Sequence, residues 1–187
     1  MKSRIKFSGI FLILVASLLV TSCGKNSSQE GLASIAFKYL KFNDFESYSN
    51  YIMTQEEGLF FLDTLERSGQ YKAYSVKKKK HFKNIKNEFS KRLSAQRAHL
   101  KKNFYAVFDQ GARHGIVWSR AKFVSARVSR QENVFELNGL KQQHIYIIFN
   151  HNKKKYGLRL TNNVKAKRGW VIVDGLAWEP ALKSEQK

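Results

Sequence analysis

One cysteine in 187 residues, Cys23, excludes any disulfide within the chain, so its stability rests on a packed core. A single proline, Pro180, stands near the end and breaks no earlier segment. Acids are scarce: 14 Asp and Glu oppose 34 Lys and Arg, a formal net charge of +20. No apolar run is long enough to span a bilayer; the longest, Phe7 to Val20, falls short of the roughly 20 residues needed and contains Ser8, Gly9 and Ser17. Motifs of chemistry are missing too. The histidines His81, His99, His114, His144 and His151 include no i, i+4 pair and no His-Glu-x-x-His, and neither Gly-x-Ser-x-Gly nor a glycine-rich phosphate loop occurs. No cofactor and no metal is indicated. Asp109, His114 and Asp174 could meet only by tertiary approach, and a helix end, a turn and a strand end already account for them.

What the sequence does carry begins at its start. Lys2, Arg4 and Lys6 precede the apolar stretch, which ends in Val20-Thr21-Ser22-Cys23-Gly24. A positive n-region, a short apolar core and small residues before a cysteine make up an export signal rather than a membrane span. The four positions Val20, Thr21, Ser22 and Cys23 resemble the lipobox of bacterial lipoprotein signal peptides. That resemblance implies cleavage between Ser22 and Cys23, a diacylglycerol on the Cys23 thiol and, in most members, acylation of the new amino group. It also implies a place in the cell envelope, and Gly24 in place of aspartate favours the periplasmic face of the outer membrane if the source is a diderm bacterium.

Four segments follow: a signal peptide over 1–22, a lipidated flexible tether over 23–30, one domain over 31–182 and a polar tail over 183–187. As a flexible coil the seven polar residues 24–30 would span about 15 Å, which keeps the domain close to the bilayer. Removing residues 1–22 takes away three cations and no acid, leaving 31 Lys and Arg against 14 acids. Such a balance suits a polyanionic partner, and export disfavours nucleic acid. Phospholipid headgroups, anionic envelope polymers or an acidic protein remain.

Leu32, Ile35, Ala36, Tyr39 and Leu40 recur at helical spacing and predict a helix over 29–42. Asn43 and Asp44 break it and open a shorter one. Thr54-Gln55-Glu56-Glu57 has capping-box spacing and starts a third helix ending near Ser68-Gly69. The longest predicted helix covers 76–110, with Phe82, Ile85, Phe89, Leu93, Leu100, Phe104 and Val107 on one narrow face. Between positions 77 and 102 it holds eleven Lys or Arg and one acid, Glu88.

Beyond Gly115 the period becomes alternating, predicting strands over 116–129, 133–138, 145–149, 156–160 and 170–173, with turns at Asn138-Gly139, 150–154 and 165–169. Short connections make these antiparallel neighbours. The expected class is α+β: N-terminal helices including one long basic amphipathic helix, then a curved antiparallel sheet. Helices first, a meandering sheet and a closing Gly169-Trp170-Val171-Ile172-Val173-Asp174 together resemble the nuclear transport factor 2-like, cystatin-related α+β superfamily. The resemblance implies a conical pocket between helices and sheet for a small ligand or a partner. The long basic helix departs from that pattern, and Trp118, Trp170 and Trp178 mark the first places to look for a pocket.

The sequence therefore points to a lipid-anchored envelope protein that binds or scaffolds, with Cys23 joining it to the membrane. The candidate anionic-surface contacts are Lys77, Lys78, Lys79, Lys80, Lys83, Lys86, Lys91, Arg97, Lys101 and Lys102, with Lys153, Lys154, Lys155, Lys165, Lys167 and Arg168. The competing description of a charge run is a solvated helix face. A pocket-containing envelope enzyme and an accessory subunit of an envelope assembly, with a protein partner, are the alternatives. Mass spectrometry of the native polypeptide is expected to find Cys23 as first residue with an added acyl mass. An intact 1–22 segment or an unmodified sulfur would remove the anchor.

Overall fold

The computed structural model describes residues 26–137 and 140–179, except for the side chains at 70 and 129–141. The expected signal segment, Cys23, the Asn138-Gly139 turn and the polar tail lie outside the described residues. The α+β class holds: helices precede a curved antiparallel sheet. Helix α1 (Gln29–Lys41) starts at Ser28, whose hydroxyl accepts the Gly31 amide, and buries Leu32, Ala33, Ala36, Phe37 and Leu40. Asn43, at φ 54°, closes it: the Asn43 amide reaches Leu40 O and the Asp44 amide reaches Tyr39 O, a left-handed C-terminal cap that asparagine tolerates. Asp44 then caps α2 (Phe45–Ser49), and the Thr54 and Glu57 side chains form the expected capping box of α3 (Gln55–Glu66). Ser68 caps the single turn α4 (Gly69–Lys72).

The predicted continuous helix over 76–110 is two helices, α5 (Val76–Asn87) and α6 (Phe89–Arg113). They meet at Glu88, with φ −95° and ψ 4°. No Gly or Pro marks the break, so the periodicity runs through it undisturbed. Its cause is tertiary: Lys86 pairs with Asp63 and Glu66 of α3, and Phe82 packs on Tyr71 with ring centres 5.0 Å apart, holding α5 over the far end of α3. Phe89, one residue past the break, lies instead against Gly58 near the start of α3. The apolar face itself is as expected, with Leu93, Leu100, Phe104 and Val107 buried along α6.

The sheet has the order β1-β2-β3-β4, with β1 (Lys122–Leu137), β2 (Leu140–His151), β3 (Lys154–Ala166) and β4 (Gly169–Val171), and β5 (Gly175–Glu179) also pairing with β3. Two predicted strands, 116–129 and 133–138, are the single irregular strand β1, whose register against β2 shifts between Val128 and Asn133. Residues 116–121 stay out of the sheet, where Trp118–Arg120 form a 3-10 turn that drives Trp118 inward. The connection expected at 150–154 narrows to Asn152 and Lys153, both at positive φ, as a two-residue hairpin turn requires.

The closing strand also differs from expectation. It leaves β3 after Val171, because Ile172 bridges Ile52 in parallel, donating to Tyr51 O and accepting from the Met53 amide. Pairing resumes as β5, which the alternation did not reveal. Gly175, at φ +87°, makes this possible, because a Cβ there would sit 2.6 Å from Leu100 and 2.7 Å from Asn103 Oδ1. Asn103 reads the strand through two bonds, Nδ2 to Leu176 O at 2.7 Å and the Leu176 amide to Oδ1 at 2.9 Å.

The main core lies between α1, α6 and the sheet. Phe37, Phe149, Trp178 and Phe108 surround Trp118, whose Nε1 donates to Phe108 O at 2.9 Å. Trp118 and Trp178 are thus interior packing residues. A second, smaller cluster of Met53, Val164 and Val171, with Phe61 and Phe89 against it, closes the opposite end of the sheet. Gly111 tests the tightness of the main core, since its missing Cβ would lie 2.2 Å from the Trp118 ring. Alanine is ordinarily worth about 1 kcal/mol over glycine within a helix, while overpacking costs roughly 1–3 kcal/mol. Gly111→Ala is therefore expected to lower the thermal midpoint, with a net loss on the order of 1 kcal/mol; a rise in the midpoint would show that Trp118 moves freely.

Candidate functional site

The first described residues are part of the domain. Asn26 is 6% exposed, its Nδ2 donates to Trp170 O at 2.8 Å, and its carbonyl accepts the Trp170 amide at 2.8 Å. Lys165 Nζ donates to Ser27 O at 2.7 Å. Residues 26–28 thus lie along β4, and the part of the 23–30 tether left outside the domain is shorter than expected. Three peptide links separate Cys23 from Asn26, a reach of about 11 Å when extended. Gly169, at φ +119°, is needed for this docking, since a Cβ there would meet Asn26 O at 2.6 Å.

Beside that strand end, Arg168 joins three segments. It donates to Glu57 Oε1 at 2.6 Å through Nε and to Oε2 at 3.1 Å through Nη2, to Ile52 O at 2.8 Å, and to Asn50 O. The β3–β4 turn is thereby fastened to the start of α3 and to the α2–α3 link. Burial pushes the Glu57 carboxyl upward, but the Arg168 guanidinium and the Thr54 amide outweigh it and hold the group below the usual carboxylate range. Glu57 therefore does more than close a capping box, which was all that its spacing showed. Farther along α3, hydrogen bonding to Lys86 lowers Asp63, and Asp63 with Glu66 raises Lys86.

The candidate cations divide into two ends. Lys165, Lys167 and Arg168 stand at the β3–β4 turn beside Asn26; Arg168 ties the start of α3 to that turn, Phe89 sets the start of α6 on the Met53, Val164 and Val171 cluster, and Lys86 holds α5 to the far end of α3. Lys77, Lys78, Lys80, Lys83 and Lys91 are exposed on α5 and the start of α6, and Lys77, Lys80, Lys83 and Lys91 have no acidic partner among the described residues. Lys79 turns back to Lys72 O, and Lys86 is neutralised on α3. Arg97 and Lys101 lie farther along α6, reaching Ser49 O and Glu46, with Lys102 exposed beside them. Lys153, Lys154 and Lys155 are at the other end of β3, in and beside the β2–β3 turn. At about 3.3 Å per residue the strand between Lys154 and Ala166 is at most about 40 Å long, and the two groups stand at its opposite ends. They do not share a surface with Lys165, Lys167 and Arg168.

A cleft of about 790 Å³ opens between α3 and the β3–β4 turn. Its lining includes Met53, Phe60, Phe61, Val164 and Val171, with Lys165, Lys167 and Arg168 at the turn. Sequence reasoning missed this cleft, because its walls are far apart in the chain and each reads as ordinary helix or strand. The pocket implied between helices and sheet is at its centre packed by Phe37, Phe104, Trp118 and Phe149. Trp170 is buried in the main core with the other two tryptophans, and Lys165 Nζ lies 5.9 Å from its ring centre. His114 stacks on Trp178, which pairs with Leu158, whereas the Asp174 carboxylate takes the Asn162 side chain. His114 and Asp174 do not converge, and Asp109 is exposed on α6. Among the described residues no three His, Cys, Asp or Glu gather as metal ligands, and no helix is long and apolar enough to cross a membrane. Comparison with family models, curated proteins and solved structures finds no match.

The Glu57–Arg168 contact has a pH signature. A carboxyl held below its unfolded value near 4.3 contributes stability that is complete above that value and lost as pH falls through the folded one. Glu57→Gln is expected to lower stability at pH 7 by about 1 kcal/mol, after allowance for the partly exposed guanidinium. The gap to the native chain should narrow as the pH falls below the unfolded value and close once the folded carboxyl is protonated. Thermal midpoints measured from pH 2 to 7 check this, and a gap independent of pH would show that the charge is not what matters.

Proposed function

We propose that the chain is a lipid-anchored envelope protein, held by acyl chains on Cys23, that works as a binding module with one cationic end turned toward an anionic membrane surface. The observation that carries the reading is a coincidence of position. Asn26, three residues from Cys23, docks on β4 beside Lys165, Lys167 and Arg168, and α3, whose start Arg168 ties to that turn, carries α5 with its exposed lysines over its far end. With the attachment point within about 11 Å, the β3–β4 turn stands near the headgroups, where each Lys or Arg contributes on the order of 1 kcal/mol. Two acyl chains already hold a protein stably. The cations therefore set orientation and select anionic surfaces.

Localisation follows the same argument. The envelope, and in a diderm bacterium the periplasmic face of the outer membrane, is the proposed address. A catalytic role would need converging acids and bases, and His114 and Asp174 are engaged in separate places.

The test uses the mature chain from Gly24, without its lipid, in flotation with vesicles of phosphatidylcholine alone or with 30 mol% phosphatidylglycerol. Binding is expected only to the anionic vesicles and is expected to fall steeply with salt. Replacing Lys77, Lys78, Lys80 and Lys83 by Gln should weaken binding by at least about tenfold. Replacing Lys153, Lys154 and Lys155 by Gln should leave it unchanged, since those residues are at the far turn. Equal flotation with both vesicle types, or equal effects of the two sets, would refute the reading.

A further inference from the structure

The cleft between α3 and the β3–β4 turn has no part in the orientation argument, yet its make-up is specific. Its floor is apolar, formed by Met53, Phe61, Val164, Ala166 and Val171. Its volume, about 790 Å³, falls within the range of small-molecule and cofactor sites. Phe60 stands on its border with 59% of its surface exposed. A large ring left in water beside an apolar floor is a surface that gains by being covered.

Charge at the border is uneven. Lys167 is exposed with no partner among the described residues, and Lys165 reaches only a backbone carbonyl and the Trp170 face. Of the two acids, Glu57 is already neutralised by Arg168, leaving Glu56. An apolar floor with a net cationic border matches a molecule with a hydrocarbon chain and an anionic head. A small soluble anion would have no use for the floor, and a neutral apolar ligand none for the lysines.

The chain outside the described residues indicates the source of that molecule. Lys165 holds Ser27, and Cys23 lies four residues before Ser27, so an anchored chain brings the cleft to the bilayer surface. We infer that this cleft takes up one acyl chain of an anionic phospholipid from the membrane, with its phosphate at Lys165 and Lys167. The inference rests on the proposed anchoring for the supply of lipid, and it adds a specific ligand site to what was a general surface attraction.

The experiment uses the full-length protein, made and processed in a bacterial host and extracted in mild detergent. Native mass spectrometry reads two masses in one spectrum: the covalent acyl group on Cys23 and any phospholipid retained without a bond. One phosphatidylglycerol per chain is expected. Ala166→Trp, which fills the floor, should lower the retained fraction at least about tenfold, and Lys167→Glu about fivefold. Should Ala166→Trp fail to fold, reconstitution into phosphatidylcholine vesicles containing 20 mol% chain-brominated phosphatidylglycerol gives an independent reading. Bromine should quench the fluorescence that Phe60→Trp adds at the cleft border more strongly than that of Trp118, Trp170 and Trp178, which belong to the main core. A chain that retains no phospholipid, retains a zwitterionic phospholipid equally, retains phosphatidylglycerol equally after Ala166→Trp, or shows no excess quenching of the Phe60→Trp fluorescence overturns the site. An adduct without the Cys23 acyl mass would refute the anchoring and leave the site standing.

Discussion

With no disulfide available, the burial of Trp118 is the interaction that joins the helices to the sheet. It links Phe108 of α6 and Phe37 of α1 to Phe149 of β2, and it rests against Trp178 of β5. Each large apolar side chain taken from water contributes roughly 1.5–3 kcal/mol, and an aromatic pair about 0.5–1.5 more. No polar contact in the interior matches that concentration. Gly111 belongs to the same constraint, since only a residue without a side chain lets the α6 backbone approach the indole. Once α6 is fixed at its C-terminal end, its length carries Phe89 to the other end of the sheet, where the small Met53, Val164 and Val171 cluster receives it. The cleft and the cationic end are therefore positioned by a core that lies far from them.

How much of this was legible in the sequence follows from the range of the forces involved. Capping is local, so Thr54, the Asn43-Asp44 break and the buried face of α6 could be read from spacing, whereas Ser28, the cap of α1, falls within the segment expected as tether. The break at Glu88 could not, because it is imposed by Asp63, Glu66, Tyr71 and Gly58, each more than ten positions away. Strand β5 was hidden for a related reason: the chain leaves β3 at Ile172 to bridge Ile52 and rejoins it only at Gly175, beyond the expected closing strand over 170–173. Residues 116 and 118 alternate like a strand but are buried from a loop and a 3-10 turn, a distinction that alternation alone does not make. The cations were legible as residues and not as a surface. Charge counting grouped Lys153–155 with Lys165–Arg168, and only the antiparallel course of β3 separates them.

That separation bears on the electrostatics of the proposed anchoring. At physiological salt the Debye length is about 8 Å, so a cation several such lengths from a membrane feels almost none of its potential. An anchor within about 11 Å of Asn26 brings Lys165 and Lys167 inside the region where charge acts. The far lysines are left to solubility. Under that proposal, orientation arises from an asymmetry along one strand. The docking of Asn26 on Trp170 matters here, because a freely swinging tether would average the orientation away. Gly169, which leaves room for Asn26, and Arg168, which fastens the adjacent turn to α3, are neighbours in sequence and serve the same end of the molecule. The two-residue turn between β3 and β4 thus sets the docking of Asn26, the wall of the cleft and the local charge. A substitution there would be felt in all three, whereas one in the β2–β3 turn would be felt in none of them.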